Sequence, residues 1–409
     1  MNKPHIRRRE TAGSVLVVTL VIIGVLCITL GSYLYLVRTE NVSVARSQAW
    51  NSSLALAEAG VEEAMAQLNP GALLFTTNID RSANGWGGPS GGIYGPVARS
   101  LTNGSYGVVI TADNPPVIYS TGYVAVPTIS ATASRVVQVT TATFPLFGAG
   151  MVAQGDITMH GNNVTVNSFD SRLGPYNPLT AGTNGSVASE GGLVDVGNAN
   201  INGPLYLGPT ASNGIGPNGY VSGGIYNDFN MDFPPVLPPS GGITPLSGTV
   251  GATTYTYLLD GLNGGNYQLN SSLSGSIYVA GNSILYVTGN ANITTLVIAP
   301  GASLQLFVGG ATTTFGQIND SGTAINLQYY GLPGNTSISL GGNAEFIGTI
   351  YAPSADFTAN GGGNNTLDIQ GAMVVNSVTM NGHFNFHYDV SLSAIGPVRG
   401  YLATSWREL

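Results

Sequence analysis

The sequence predicts two unlike bodies in one chain. The first is an α+β region, one long N-terminal helix with a small antiparallel sheet. The second is an all-β domain, a right-handed parallel β-helix or solenoid, with a β-sandwich as the alternative. Three observations predict this. Ser14 to Val37 is an uncharged run of 24 residues. An apolar stripe continues without proline to Leu68. From Leu146 onward, apolar runs of three to five residues alternate with Asn/Gly turns, which suits short strands stacked rung on rung.

Composition agrees with that division. Charged residues are only 8% of the chain, Gly numbers 58 and the net charge is −8. Few charges, many β-branched residues and Gly/Asn turns point to an extended β body outside the cell. Cys27, the single cysteine, lies in the apolar run, so no intrachain disulfide can form. From Phe147 to Val390 the only basic residue is Arg172, against twelve carboxylates. Such a surface repels nucleic acid and anionic lipid, so no nucleic-acid partner is expected.

Residues 1–13 read as a basic leader ending at Gly13, with Arg7, Arg8 and Arg9 close to the apolar run. By the positive-inside rule these arginines set topology, with the N-terminus cytoplasmic and the rest extracytoplasmic. The run from Ser14 can cross a bilayer core of ~30 Å at ~1.5 Å per helical residue. A secretory signal has a shorter apolar region of ~7–15 residues, so a retained anchor in the inner membrane is expected. Residues 14–69 read as one helix, ~80 Å long, first transmembrane and then amphipathic. Its second half places Trp50, Leu54, Ala57, Val61, Ala64 and Leu68 on one stripe, with Glu58, Glu62 and Glu63 largely opposite. Asn69-Pro70-Gly71 ends it, since proline disfavours helix in the residue before it.

Residues 70–145 read as a small β head. The Gly/Asn-rich part 71–97 is expected as loop, then strands at Ser105–Thr111, Val117–Val126 and Arg135–Thr143. Residues 146–390 carry the solenoid pattern, in runs such as Ile277-Tyr278-Val279, Leu285-Tyr286-Val287, Leu296-Val297-Ile298 and Leu304–Val308. The proline-rich break Phe233 to Pro239 reads as an extended crossing on the body's surface. In the tail, 391–409, Ala394–Leu402 is expected to cover the last rung.

Specific residues carry a resemblance. They are the basic leader ending in Gly13, the uninterrupted apolar helix, and the run Leu56-Ala57-Glu58-Ala59-Gly60-Val61-Glu62-Glu63-Ala64. Tyr119-Ser120-Thr121-Gly122 and Arg135-Val136-Val137-Gln138-Val139 complete it. Residues 7–144 resemble the PilX-type N-terminal region of type IV pilus assembly proteins and minor pseudopilins. The resemblance implies a bacterial subunit whose helix anchors it in the inner membrane, then packs against other pilin-like subunits through residues 14–68. It also implies a processing site between Gly13 and Ser14. The sequence departs from the major-pilin pattern there, with Ser14 in place of Phe or Met and Val18 in place of the fifth-position Glu. That departure fits a tip or initiating subunit better than a shaft subunit. Phe346–Tyr351 with Ala352-Pro353, and His387-Tyr388-Asp389, resemble the secreted β domain that often follows such regions; no activity comes with it.

Candidate chemistry is sparse. His383, His387 and Asp389 form the one clustered His/Asp set. On a straight strand residues i and i+4 stand about 13 Å apart, too far for one metal. Polar residues at the end of the β body are the expected reading. Asp156 and Asp170 could hold Ca²⁺ beside turn carbonyls, but capping of turns fits better. A polysaccharide lyase would need more basic residues than Arg172, and a glycoside hydrolase would need two carboxylates ~5–9.5 Å apart. No tight Asp pair occurs, and His160-Gly161 stands alone. The chain therefore reads as no enzyme, with no cofactor, metal or catalytic residue. The expectation is a membrane-anchored structural subunit displaying a β domain, adhesive or initiating, with surface glycans or other proteins as partners. A single-pass surface protein without a filament role, and a polysaccharide-processing β-helix enzyme, are the alternatives.

Overall fold

The computed structural model describes residues 12–69, 84–127, 129–160, 164–319, 322–342, 345–361 and 367–409. The chain divides into two compact units. Of the described residues, the smaller holds the long helix as far as Gln67, those from 84 to 142 and 403–409; the larger holds Leu68, Asn69 and those from 143 to 402.

In the smaller unit α1 runs unbroken from Ala12 to Leu68, 57 residues. No internal proline interrupts its hydrogen-bond ladder. Its first half, Val15 to Leu36, leaves every large apolar side chain exposed. Its second half lies on an antiparallel sheet of β1 (Ile93–Leu101), β2 (Gly104–Thr111), β3 (Val117–Val126) and β4 (Ala131–Pro145). A fifth strand, Val398–Glu408, pairs along β4.

Three expectations change here. β1 begins inside the stretch read as loop. The tail supplies a sheet strand, anchored in this unit by Arg135 paired with Glu408 and by Arg407 donating to Gln138 at 2.8 Å. Leu409 N–H also donates to the Val136 carbonyl. The buried face of α1 keeps Ala57, Ala64 and Leu68 of the expected stripe but is turned away from Trp50. Ala49, Ser53, Ala57, Gly60 and Ala64 are buried, whereas Trp50 is 49% exposed. Over Ala49 to Ala64 the residues turned inward are small ones. The reason is distance. A Cβ on Gly122 would lie 2.0 Å from the Ser53 carbonyl, and one on Gly60 would lie 2.2 Å from Ser120 Oγ. Helix and sheet approach so closely that large side chains find room only on the flanks.

The larger unit is a parallel β-solenoid of about 9 turns among the described residues. Each rung contributes strands to three faces, and each strand pairs in parallel with strands above and below. Short runs such as 283–287 cannot bury a core alone, so stacking supplies it. On the first face Leu205, Val187, Met151, Met373, Ile350, Tyr329, Leu306, Leu285 and Tyr267 succeed one another inside the stack. All are buried.

The rungs are not stacked in chain order. Met151–Ala153 and Ile157–Met159 pair with the strand Leu367–Gly382, and Thr165–Phe169 pairs with Phe384–Asp389. The first rung of the domain thus sits on its last. From this seam the chain builds outward through 187–207 to a terminal rung at 212–226. It then returns along the outside of the first face and rebuilds from a hairpin, Leu246–Val250 with Thr253–Leu259, back to the seam. Next to the seam, Leu146 N–H donates to the Pro397 carbonyl at 2.8 Å.

The returning strap is the predicted proline-rich crossing. Phe229 N–H donates to Leu207 and Met231 N–H to Glu190. Tyr351 Oη donates to the Pro234 carbonyl at 2.8 Å, and Ile243 closes a parallel bridge with Tyr267. Beneath the strap lies an outward column of Val152, Val374, Tyr351, Tyr330 and Phe307, all buried although they point away from the interior. The aromatic and aliphatic run explains why this crossing is packed and not loose: Val236 is 1% exposed.

Candidate functional site

The first candidate is the anchor and its joint to the head. Gly13 and Ser14 lie in the first turns of α1, and Arg7, Arg8 and Arg9 lie outside the described residues. The span from Val15 has an 18-residue window of mean hydropathy 2.7, none of it buried. By length and composition it can cross a membrane.

Where α1 meets the sheet, the two halves of the sequence motif come together. Glu63 faces β1 and β2. Arg99 Nη2 donates to Glu63 Oε1 at 2.7 Å, and Tyr106 Oη donates to Oε2 at 2.6 Å. Arg99 also donates to the Asn84 carbonyl at 3.0 Å. Burial alone would raise the Glu63 carboxyl. The hydrogen bonds from Arg99 and Tyr106 outweigh it and hold the group below the usual carboxylate range. Burial and the Glu63 carboxylate push Tyr106 up to about 12. Further toward the N-terminus, the Arg135 guanidinium lies 5.2 Å over the Trp50 ring, which keeps that exposed indole against the sheet. Sequence reading had Glu63 on the outer face. Arg99 was invisible as its partner, because the pairing depends on the register of β1.

The second candidate is the His/Asp set. His383 lies in the turn before the strand Phe384–Asp389 and is separate from the other two. His387 and Asp389 share the outward side of that strand, yet they are 1% and 0% exposed. They are not at the end of the body. The end of the domain's sequence is the middle of its stack, and the loop following Phe169 folds over them. The Tyr176 ring stacks on His387 with centroids 3.6 Å apart. His387 Nδ1 bonds Asn167 Oδ1 on the neighbouring rung, and Asn167 Nδ2 donates to Tyr176 Oη at 3.0 Å. His387 Nε2 lies 3.1 Å from Asp368 Oδ1, close enough for an ion pair when the ring is protonated but not aligned as a hydrogen bond. Asp389 Oδ1 accepts from the N–H groups of Ser171 and Ser391, both at 3.1 Å. The set pins a loop across the seam.

An open pocket of about 390 Å³ lies beside it, lined by Phe169, Ser171, Tyr176, Thr323, Ile347 and Gln370 among others. His387 is walled off from this space by Tyr176. Asp170 caps its own turn, whereas Asp156 bonds to the neighbouring rung. Asp156 accepts from Leu193 N–H at 2.8 Å, and Asp170 accepts from the backbone and guanidinium of Arg172. Hydrogen bonding to Arg172 holds the Asp170 carboxyl below the usual range. His160 does not stand alone: its Nε2 lies 2.8 Å from Asp195, a neighbour that only the rung register supplies. Among the described residues no three His, Cys, Asp or Glu side chains form a group that could hold a metal ion.

A family model described as a domain of unknown function (DUF7305) matches residues 249–395. No curated protein matches the chain. The crystal structure of the competence-associated pilin ComZ from Thermus thermophilus is similar over 87% of this chain and 96% of that one, at 12% identity and a TM-score of 0.31. The matched family region begins in the hairpin and runs through the rungs that climb to the seam. The rungs beyond it, from Met151 to Tyr226, come from sequence outside the match.

Proposed function

We propose that this chain is a membrane-anchored, pilin-like structural subunit that carries its β-solenoid outside the cytoplasm and serves as an adhesive or initiating component at a pilus tip. It has no catalytic role in this reading. One observation carries it. α1 is a single unbroken helix with two distinct halves: Val15 to Leu36 is uncharged and leaves all its large apolar side chains exposed, while Ala49 to Ala64 is locked to an antiparallel sheet. Lipid first, and the helices of neighbouring subunits later, supply the partner that the apolar half needs. Val18, where a shaft subunit has Glu, favours a position outside the repeating shaft.

The test is display. With Arg7, Arg8 and Arg9 intact, protease added outside cells whose outer barrier has been opened should cut the solenoid and spare the first residues of the chain. Replacing all three with Glu should reduce that cleavage severalfold by weakening orientation. Unchanged cleavage in the triple variant counts against the topology. Recovery of the wild-type solenoid only from the cytoplasm refutes display.

A further inference from the structure

The three faces of the solenoid are dressed differently. The strap covers the outward side of the first. The loops after Phe169 and around Thr323 lie over the second. The third face keeps its outward side chains exposed or half-exposed. One column crosses it in register, with Asn292, Thr314, Ser339, Thr358, Thr379 and Thr158 on successive rungs. A second column two residues earlier holds Thr312, Ser337, Asp356 and Ser377.

Three features set these columns apart from an ordinary wet strand face. The first column continues across the seam, where Thr379 meets Thr158 from the opposite end of the domain, so no local sequence repeat produces it. They are all short hydroxyl, amide or carboxylate side chains, with no long or apolar member. They carry no cation: Arg172, the only basic residue from Phe147 to Val390, is bonded to Asp170 on another side of the rung.

We infer that this face is a docking surface for an extended neutral polysaccharide lying along the stack. The inference rests on the adhesive reading above and names its ligand class. Rungs advance ~4.8 Å, close to the length of one pyranose unit, so hydroxyls recur on both surfaces at a similar interval. Ser and Thr hydroxyls donate and accept, as sugar hydroxyls do. Short side chains lose little rotamer freedom on binding. A face without cations disfavours anionic glycans and nucleic acid. An added peptide strand is disfavoured too, because the backbone groups of this face already pair between rungs.

The test is co-sedimentation of the full chain, in detergent, with microcrystalline cellulose and with chitin; heparin beads and growing ice are the comparison matrices. The variants are Thr314→Lys at an exposed position and the pair Thr358→Lys with Thr379→Lys. Leu179→Ser on the loop over the second face, 91% exposed, is the control. Wild type and the control should be retained on at least one neutral glycan. The Lys variants should be retained about tenfold more weakly with unchanged circular dichroism, a loss of about 1.4 kcal/mol. Equal retention of the Lys variants overturns the assignment of this face but leaves an adhesive subunit intact. Retention of wild type on neither glycan, or only on heparin or ice, overturns the ligand class. Protease accessibility of the same protein in cells separates either result from a failure of display.

Discussion

Gly60 is one of the residues that let helix and sheet approach closely in the head. Its missing Cβ leaves space for Ser120 Oγ, and Tyr106 Cδ2 would lie 2.9 Å from that Cβ. Gly60→Val must push helix and sheet apart. A loss of about 1–3 kcal/mol is expected, the usual cost of overpacking, read as a lower Tm for the head. An unchanged Tm would mean the helix can slide at no cost. Glu63, one turn on, makes the same joint sensitive to acid. Its folded value lies below the ordinary 4.5, so its stabilisation is present above that value and is lost as pH falls through the lowered one. Glu63→Gln should remove about 1–2 kcal/mol at neutral pH, toward the lower end because Arg99 is 44% exposed. The variant should also flatten the acid limb of an unfolding titration. A variant with the wild-type acid limb would exclude Glu63 as its source. The sequence showed the Leu56–Ala64 run but not its purpose. Small residues at spacings of three and four mean close approach only once the facing strand, with Ser120 and Gly122, is known.

At the scale of elements, most of the strands were legible. The runs at 277–279, 285–287 and 304–308 are strands because alternate residues are buried and Gly/Asn turns bound them. Helix continuity was legible from the absence of proline, and the strap from its abundance. The strand Val398–Glu408 was not. Its burial is mostly exposed or intermediate, so no apolar alternation betrays it, and only pairing with β4 fixes it. β1 was hidden for a similar reason, with Val97 its single buried residue. Interior positions give the sharp prediction. Val287 is 0% and Ile298 4% exposed; Val287 lies between Leu269 and Val308, and Ile298 pairs with Val279. Val287→Asp or Ile298→Asp would bring an unpaired carboxylate into that interior. A loss of about 4 kcal/mol or more is expected, seen as failure to accumulate folded protein. Soluble, cooperatively folding Val287→Asp protein would contradict the assigned interior.

At the scale of the whole solenoid, what the sequence could not reveal is rung order. Turn residues and short apolar runs encode each rung, but the seam depends on contacts between residues more than two hundred positions apart, such as Thr379 with Thr158. Local pattern is silent on such pairs, and this is why His387 and Asp389 read as terminal when they are central. The order has a measurable consequence. Stability in a stacked array comes from nearest-neighbour interfaces, so rungs with one neighbour open more readily than rungs with two. In a solenoid stacked in chain order, the middle of the sequence would be best protected. Here the middle of the domain's sequence forms both ends of the stack. Ile215, Tyr220, Ile225, Tyr226 and Leu246 there are 40% exposed or more, whereas Met151, Ile157, Met373 and Phe386 at the seam are at most 1% exposed. Hydrogen exchange should therefore be fastest in 212–226 and 246–256, and slowest in 151–159 and 369–389. The strap cannot reverse this order, since it contributes few backbone hydrogen bonds to the terminal rungs. Protection that peaks between 212 and 259 and falls toward Met151 and Asp389 would show that the rungs are stacked in chain order and that the seam does not exist.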